Sequence, residues 1–211
     1  MRKILLWILF IILVLFSLNG PMGFIFPMWI MVYLFKDRLQ RFLDRFPLWV
    51  AFISGGLAFG LLTEIFAILQ NWNVPPGKRI LLHPNPFIDL VMGAFYYLLF
   101  IITWYLILGR IKFSKSAVFI LSGVFGILTE QGGAIASGII ANPFLGTLTA
   151  FLVMSVYGIF PMLAVMLSET RFPERPQPKV WQYPLALFFL FVFWAVYGNI
   201  FYKALLSIFP K

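Results

Sequence analysis

Residues Leu48–Gln70 read LWVAFISGGLAFGLLTEIFAILQ, an apolar stretch with a single charged residue, Glu64. A helix that crosses a bilayer needs about 20 consecutive apolar residues, and this stretch is long enough. Other apolar stretches of the same kind, the first two of them shorter, are Ile4–Leu18, Phe24–Phe35, Pro86–Gly109, Ser116–Ile140, Pro143–Leu167 and Gln182–Leu206. The sequence therefore predicts an all-α integral membrane protein, a seven-transmembrane-helix bundle.

The composition excludes a water-soluble protein. Of the 211 residues, 62% are hydrophobic and 11% are charged, against about 25% charged residues in an ordinary soluble domain. The net charge is +9, but the basic residues lie in short loops between apolar stretches, a pattern that indicates a membrane face and no nucleic-acid partner. The chain has no cysteine and one histidine, so we predict no metal site and no cofactor.

The distribution of basic residues predicts the orientation in the membrane. With a cytoplasmic N-terminus, most of the 16 basic residues lie inside, and those outside are Lys78, Arg79, Lys203 and Lys211. This asymmetry predicts a multi-pass protein of the plasma membrane with an extracytoplasmic C-terminus. Residues 36–45 predict an amphipathic helix at the inner surface. For Met1–Gly20 two interpretations stay open, a retained helix, which we favour, and a cleaved signal peptide.

A short motif occurs twice. Phe59–Glu64 reads FGLLTE and Phe125–Glu130 reads FGILTE, and each copy is followed by Asn-Pro-Phe, at Asn85 and at Asn142. Asn suits a helix N-cap and Pro suits the first helical position, so both Asn-Pro pairs predict helix starts. We interpret the pattern as a parallel internal two-helix duplication of helices 3-4 as helices 5-6. A single membrane domain, 1–211, then comprises a hairpin at 4–35, repeats at 48–109 and 116–167, and a last helix at 182–206.

Three carboxylates, Glu64, Asp89 and Glu130, lie within predicted spans. An ionisable residue in hydrocarbon is energetically expensive and is functional by default. At about 1.5 Å per residue, both glutamates fall in the outer half of their spans, and Asp89 lies within the first turn on the same side. We predict these three as catalytic residues, and we expect the glutamate pair to titrate jointly with one member protonated.

Further residues are expected to surround the carboxylates. The predicted pocket residues are His83, Thr63, Thr129, Gln131, Asn142, Tyr96 and Tyr157. The helices that carry the glutamates also have small residues at a spacing of four, which allows helices to approach closely in lipid. These predicted packing residues are Gly56, Gly60, Ser122, Gly126, Ala134 and Gly138. We expect the two small-residue stripes to pack against each other and to bring the glutamates together.

Three functions fit these features. The favoured hypothesis is an enzyme that acts on a lipid or isoprenoid, with one glutamic acid as general acid and its partner as base. The second is a small-solute or cation/proton-coupled transporter, or a transporter's substrate-binding subunit, and the third is a structural subunit of a membrane complex. The expected partners are membrane lipids, a hydrophobic small-molecule substrate and, in an oligomer, further copies or other subunits.

The shape of the site would discriminate between these functions. A closed apolar cavity at the glutamates would favour the enzyme. A pocket open to one side, with glycine hinges, would favour transport. Glutamates bonded to neighbouring helices without a cavity would favour the structural role.

Overall fold

A computed structural model describes residues 2–210, which form helices joined by turns and contain no β-strand. Met1 and Lys211, which the sequence-based orientation includes, lie outside the described residues. The helices in chain order are α1 (Arg2–Ser17), α2 (Ile25–Leu34), α3 (Lys36–Leu43), α4 (Leu48–Gln70), α5 (Pro86–Leu108), α6 (Lys115–Thr129), α7 (Ala134–Ala141), α8 (Pro143–Ser168), α9 (Gln182–Val196) and α10 (Lys203–Ile208). The prediction of an all-α protein is confirmed.

Among the described residues, five helical segments are long and apolar enough to cross a membrane. They are Leu48–Gln70, Pro86–Leu108, Lys115–Ala141, Pro143–Arg171 and Gln182–Ile208. The first two predicted spans correspond to shorter apolar helices, Lys3–Ser17 and Pro21–Leu34. The five long helices support a membrane protein, while the count of seven spans stays a prediction.

Two of the long helices begin at the predicted Asn-Pro pairs. The Asn85 side chain accepts hydrogen bonds from the backbone N–H groups of Phe87, at 2.9 Å, and Ile88. The Asn142 side chain accepts one from Leu145, at 3.2 Å. Both side chains satisfy donors that the first turn of a helix leaves free, so the predicted N-caps of α5 and α8 are confirmed.

The helix predicted over Ser116–Ile140 is not continuous. It breaks between α6 and α7, where Gln131, Gly132 and Gly133 have φ values of 50°, 66° and 89°. Glycine adopts this left-handed backbone without a steric penalty. A left-handed backbone interrupts the hydrogen bonding of a right-handed helix. The adjacent glycines allow the break, and Glu130 stands at its start.

The small-residue stripes of α4 and α6 pack against larger side chains, which corrects our expectation that they pack against each other. A Cβ added at Gly56 would lie 2.5 Å from the Ile101 side chain of α5. α4 packs mainly against α5 and α8, and α6 packs mainly against α8 and α9. The stripes thus act as grooves for bulky side chains, because a glycine leaves room for a large side chain of the neighbouring helix.

The other predicted packing residues lie at different helix contacts. The Ser122 hydroxyl on α6 accepts a hydrogen bond of 2.9 Å from the indole Nε1 of Trp104 on α5, and both side chains are buried. At Gly138 the backbone approaches α8 so closely that a Cβ added at Gly146 would lie 2.3 Å from the Gly138 carbonyl oxygen. Ala134 begins α7 and is exposed. The short helix α7 therefore packs on α8 through backbone contact.

Two further features shape the bundle. α8 continues through Pro161, and α9 passes into α10 through a π-helical turn at Tyr197–Tyr202.

On the side of the bundle where α3 and α4 meet, Arg171 donates hydrogen bonds to the carbonyl oxygens of Leu43, at 3.0 Å, and Phe46, at 2.5 Å. These bonds attach the segment after α8 to the turn between α3 and α4.

Candidate functional site

A cavity of about 510 Å³ lies between α4, α5, α8 and α9 and reaches the break after α6. Both Glu64 and Glu130 line it, and so do both threonines that precede them. The other lining residues are Met22, Ala67, Gln70, Asn71, Ile80, Leu81, Leu82, Tyr96, Tyr97, Gln131, Val153, Val156, Tyr157, Phe160, Trp194 and Tyr197. The cavity is partly open, and its wall joins carboxylates with a dense set of aromatic rings.

Glu64 is held by a tyrosine of the next helix. The Tyr97 hydroxyl on α5 donates a hydrogen bond of 2.7 Å to Oε2 of Glu64, which is 8% exposed. Gly60, one turn before Glu64, makes room for this ring, because a Cβ there would lie 2.5 Å from Cγ of Tyr97. The glycine thereby places the tyrosine beside the carboxylate.

Glu130 is held in the same manner. The Tyr157 hydroxyl on α8 donates a hydrogen bond of 2.5 Å to Oε2 of Glu130. A Cβ added at Gly126 would lie 2.4 Å from Cγ of Tyr157. Each copy of the repeated motif therefore provides a glycine that makes room for a tyrosine ring and a glutamate that accepts a hydrogen bond from the hydroxyl group of that tyrosine.

The hydroxyl groups of Thr63 and Thr129 also bond alike. Each donates a hydrogen bond of 2.9 Å to the carbonyl oxygen four residues earlier, of Phe59 and Phe125. Threonine often makes this bond in helices, where the hydroxyl has no other partner. Both threonines line the cavity, but their protons are directed to the backbone.

Tyr96 stands between the two glutamate–tyrosine pairs. Its ring lies edge-on to Tyr97, with centroids 5.4 Å apart, and edge-on to Tyr157, with centroids 6.5 Å apart. Tyr197, whose hydroxyl donates to the Met92 carbonyl at 3.1 Å, lies 5.2 Å from Tyr96. Four tyrosine rings therefore form a continuous aromatic wall between Glu64 and Glu130.

Asp89 does not line the cavity and lies behind Glu64. It is 0% exposed, its Oδ1 accepts the backbone N–H of His83 at 3.0 Å, and its Oδ2 has no hydrogen-bond partner. The carboxyl group of Glu64 is its neighbour. Two buried carboxyl groups thus meet at one end of the cavity, and one of their oxygens is unsatisfied.

His83 and Asn142, both predicted to line the pocket, are located elsewhere. His83 is 4% exposed, its Nδ1 accepts the backbone N–H of Asn85 at 3.0 Å, and its Nε2 lies 3.3 Å from the carbonyl oxygen of Pro210. These partners correspond to a neutral ring with the proton on Nε2. Asn142 is an exposed N-cap of α8. The structure therefore brings Thr63, Thr129, Gln131, Tyr96 and Tyr157 to the cavity and leaves these two outside it.

No basic side chain lines this cavity. Among residues 2–210 the salt bridges are Lys115–Glu169 and Arg171–Asp44, so neither Glu64 nor Glu130 is paired with a cation of the chain. The described part of the chain also has no group of three or more acidic or histidine side chains placed to hold a metal ion. The cavity therefore holds two carboxyl groups that no basic side chain on its wall pairs with.

The loop between α4 and α5 forms part of the cavity wall. Arg79 holds this loop together, because its guanidinium donates to the carbonyl oxygens of Val74 at 2.9 Å, Pro84 at 2.7 Å and Trp72 at 3.3 Å. The Asn71 side chain accepts the backbone N–H of Ile80 at 3.0 Å. These bonds place Ile80 and the following leucines on the cavity wall.

Some site residues were not among those predicted from the sequence. Trp194 and Phe160 line the cavity. Aromatic residues are so frequent in this chain, with 26 phenylalanines, that the sequence does not indicate which of them face the cavity. Comparison with known protein families, with curated proteins and with solved structures gives no match to this chain.

Proposed function

We propose that this chain is a multi-pass membrane protein that binds a small organic cation in the cavity between Glu64 and Glu130, as a permease or as the substrate-binding subunit of a transporter. The observation that carries the proposal is the composition of the cavity wall. It joins two carboxylates without a cationic partner to four tyrosines, a tryptophan and a phenylalanine. Carboxylates and aromatic faces both attract cations, and aromatic cages are the usual binding sites of quaternary ammonium groups.

The size of the cavity supports an organic ligand. A volume of about 510 Å³ is within the range of about 300–1,000 Å³ that small-molecule sites occupy. The wall combines aromatic and aliphatic side chains with two carboxylates, which suits a ligand with an apolar body and one charged group. A bare metal ion would leave most of this volume empty.

The position of the helix break supports transport. Glu130 is the first residue of the break, and two glycines with positive φ follow it. Broken helices with ends at a mid-membrane site are common in transporters, because short helical pieces can move while the rest of the bundle stays in place. A change at Gly132 and Gly133 would move α7 and one of the two carboxylates together.

The proposal includes the finer topology predicted from the sequence. Seven spans with a cytoplasmic N-terminus would place the cavity toward the outer side of the plasma membrane. The parallel duplication is supported by the matched glycine–tyrosine–glutamate contacts, Gly60 with Tyr97 and Gly126 with Tyr157. In this arrangement each repeat supplies one carboxylate and one tyrosine to a shared ligand.

The test uses benzyltrimethylammonium and its uncharged carbon isostere, neopentylbenzene, with the purified full chain. We expect the wild type to bind the cation in equilibrium dialysis and to ignore the isostere. Glu64→Gln and Glu130→Gln should each weaken binding by about thirtyfold or more, as expected for loss of one member of a buried charge pair. Glu169→Gln removes a carboxylate that pairs with Lys115 far from the cavity and is the matched control. Equal affinity for cation and isostere would refute the proposal.

A second candidate, an acid–base enzyme acting on a lipid or isoprenoid, is supported by a separate observation. The Tyr157–Glu130 hydrogen bond of 2.5 Å is a couple that can hold and transfer a proton. The same wall would stabilise a carbocation. Mass spectrometry of small molecules that co-purify with the wild type and with the Glu64→Gln/Glu130→Gln variant tests this candidate, because an enzyme predicts a specific lipid that the variant alters or loses.

A further inference from the structure

A second cavity of about 510 Å³ lies on the opposite side of α8, between α1, α2 and α8. Leu6, Leu9 and Leu13 of α1 form one wall, and Trp29 and Tyr33 of α2 are part of the other. The polar side-chain groups of this groove are the Tyr33 hydroxyl and the Trp29 indole N–H, so the groove differs sharply from the acidic cavity. A surface of this kind accommodates a hydrocarbon chain and cannot hold a polar solute.

The groove is formed by a helix that is loosely attached to the bundle. α1 packs mainly against α2 and the turn before it, and its residues Ile8, Leu9 and Ile12 are each at least 45% exposed. Because no water fills an apolar groove at this depth of a bilayer, a lipid tail is the molecule that is present to fill it.

Basic residues mark one end of the groove. Lys3 lies one turn before Leu6, and Lys36 follows soon after Tyr33 at the start of α3. The ring of Trp7 contacts that of Phe35 at 6.2 Å, and the guanidinium of Arg38 lies 5.6 Å from the centre of the Phe35 ring. The ends of α1 and α3 therefore meet beside the groove.

These basic residues have no acidic partner in the described part of the chain. The salt bridges recorded there involve Lys115 and Arg171, both distant in sequence from α1 and α3. Asp37 is the acidic residue of α3, and its carbonyl oxygen accepts a hydrogen bond of 3.2 Å from Arg41. The basic end thus carries a net positive charge that complements a phosphate.

We propose that the groove between α1, α2 and α8 binds one acyl chain of an anionic phospholipid, with the headgroup phosphate held by Lys3, Lys36 and Arg38. The tail lies along Leu6, Leu9 and Leu13, and its contacts join α1 to Phe151 on α8. The lipid thereby becomes part of the packing of the first helix. This site is separate from the acidic cavity and does not depend on the function proposed for it.

The experiment measures lipid retained by the purified full chain. The protein in detergent is incubated with equal amounts of phosphatidylglycerol and phosphatidylcholine that have the same acyl chains, and retained lipid is counted by native mass spectrometry. We expect one phosphatidylglycerol per chain. Leu9→Trp fills the groove and should abolish retention, while Leu15→Trp, on an exposed part of α1 outside the groove, should not.

A charge series tests the headgroup site independently of the groove volume. Lys3→Gln, Lys36→Gln and Arg38→Gln should each lower the preference for phosphatidylglycerol by about fivefold. Lys78→Gln with Lys203→Gln removes two charges elsewhere and should change nothing. Equal retention in Leu9→Trp and wild type, an unchanged preference in all three single charge variants, or a dimer that carries no lipid would each overturn the proposal, the last because a second copy would cover the groove.

Discussion

Gly126→Ala is the substitution that tests most directly whether the glycine positions the tyrosine and the glutamate. A Cβ at this position would lie 2.4 Å from Cγ and 2.8 Å from Cβ of Tyr157. Carbon atoms in contact are about 3.5–4.0 Å apart, so the two side chains must separate by about 1 Å. The clash is with the base of the tyrosine and not its flexible end, so the backbones of α6 and α8 must move.

This movement has two energetic consequences. Overpacking of this kind costs about 1–3 kcal/mol. If the Tyr157 hydroxyl moves with its ring, its distance from Glu130 lengthens from 2.5 Å to about 3.5 Å, the limit of hydrogen-bond range. Loss of this bond to a charged group costs a further ~1.5–3 kcal/mol. Alanine's higher helix propensity returns about 1 kcal/mol. The net expected loss of unfolding free energy is about 1.5–5 kcal/mol.

The assay compares thermal unfolding in detergent with binding of benzyltrimethylammonium. At about 2–4 °C per kcal/mol for a chain of this length, Gly126→Ala should lower the unfolding midpoint by about 3–20 °C. Gly138→Ala is the matched control, because a Cβ there has nothing within 4 Å. Tyr157→Phe removes the hydrogen bond without the clash and should give a smaller loss. If Gly126→Ala and Gly138→Ala have the same midpoint and the same affinity, the reasoning is wrong.

Three further predictions follow from contacts outside the glutamate pair. Trp104→Phe should lower the unfolding free energy by about 1–3 kcal/mol, because the buried Ser122 hydroxyl loses its hydrogen-bond donor. Adding Ser122→Ala to the same chain should recover part of that loss, and denaturant titrations measure both. Gln131→Gly should raise the unfolding midpoint slightly and Gly133→Val should lower it, because a residue other than glycine with a left-handed backbone costs about 1–2 kcal/mol. Equal effects of the two substitutions would contradict the left-handed backbone at the break after α6. A cysteine at Gly77, in a chain with no other cysteine, should react with an impermeant thiol reagent applied to intact cells, and labelling only after lysis would reverse the orientation.

The ends of several helices could be predicted from the sequence because local residues determine them. α4 has the predicted bounds Leu48–Gln70, and Pro47 stands immediately before it. Asn85 and Asn142 cap the helices that they were predicted to start. In each case the signal is a residue whose own backbone chemistry ends or begins a helix, so no tertiary contact is needed to interpret it.

The details of the site depended on tertiary contacts that the sequence does not specify. Tyr97 follows Glu64 by 33 residues, whereas Tyr157 follows Glu130 by 27, so the two tyrosines are not in register with the repeated motif. Asp89 was predicted within the first turn of its helix, but the count of residues did not indicate that its side chain is fully buried with the backbone N–H of His83 bonded to it. The two adjacent glycines at 132 and 133 are a signal for a break in the helix. They lie inside an apolar stretch long enough for one span, so a continuous helix was predicted there.

Pro161 gives the acidic cavity a mechanical property that its lining alone does not reveal. A proline has no backbone N–H, so the carbonyl oxygen four residues earlier on α8, that of Tyr157, receives no helical hydrogen bond. The tyrosine that holds Glu130 is therefore located where its own helix bends most easily. The opposing helix has its break at Glu130 itself. Both partners of this short hydrogen bond therefore lie where the backbone bends easily. The bond can open by bending at these two places, while both helices stay folded.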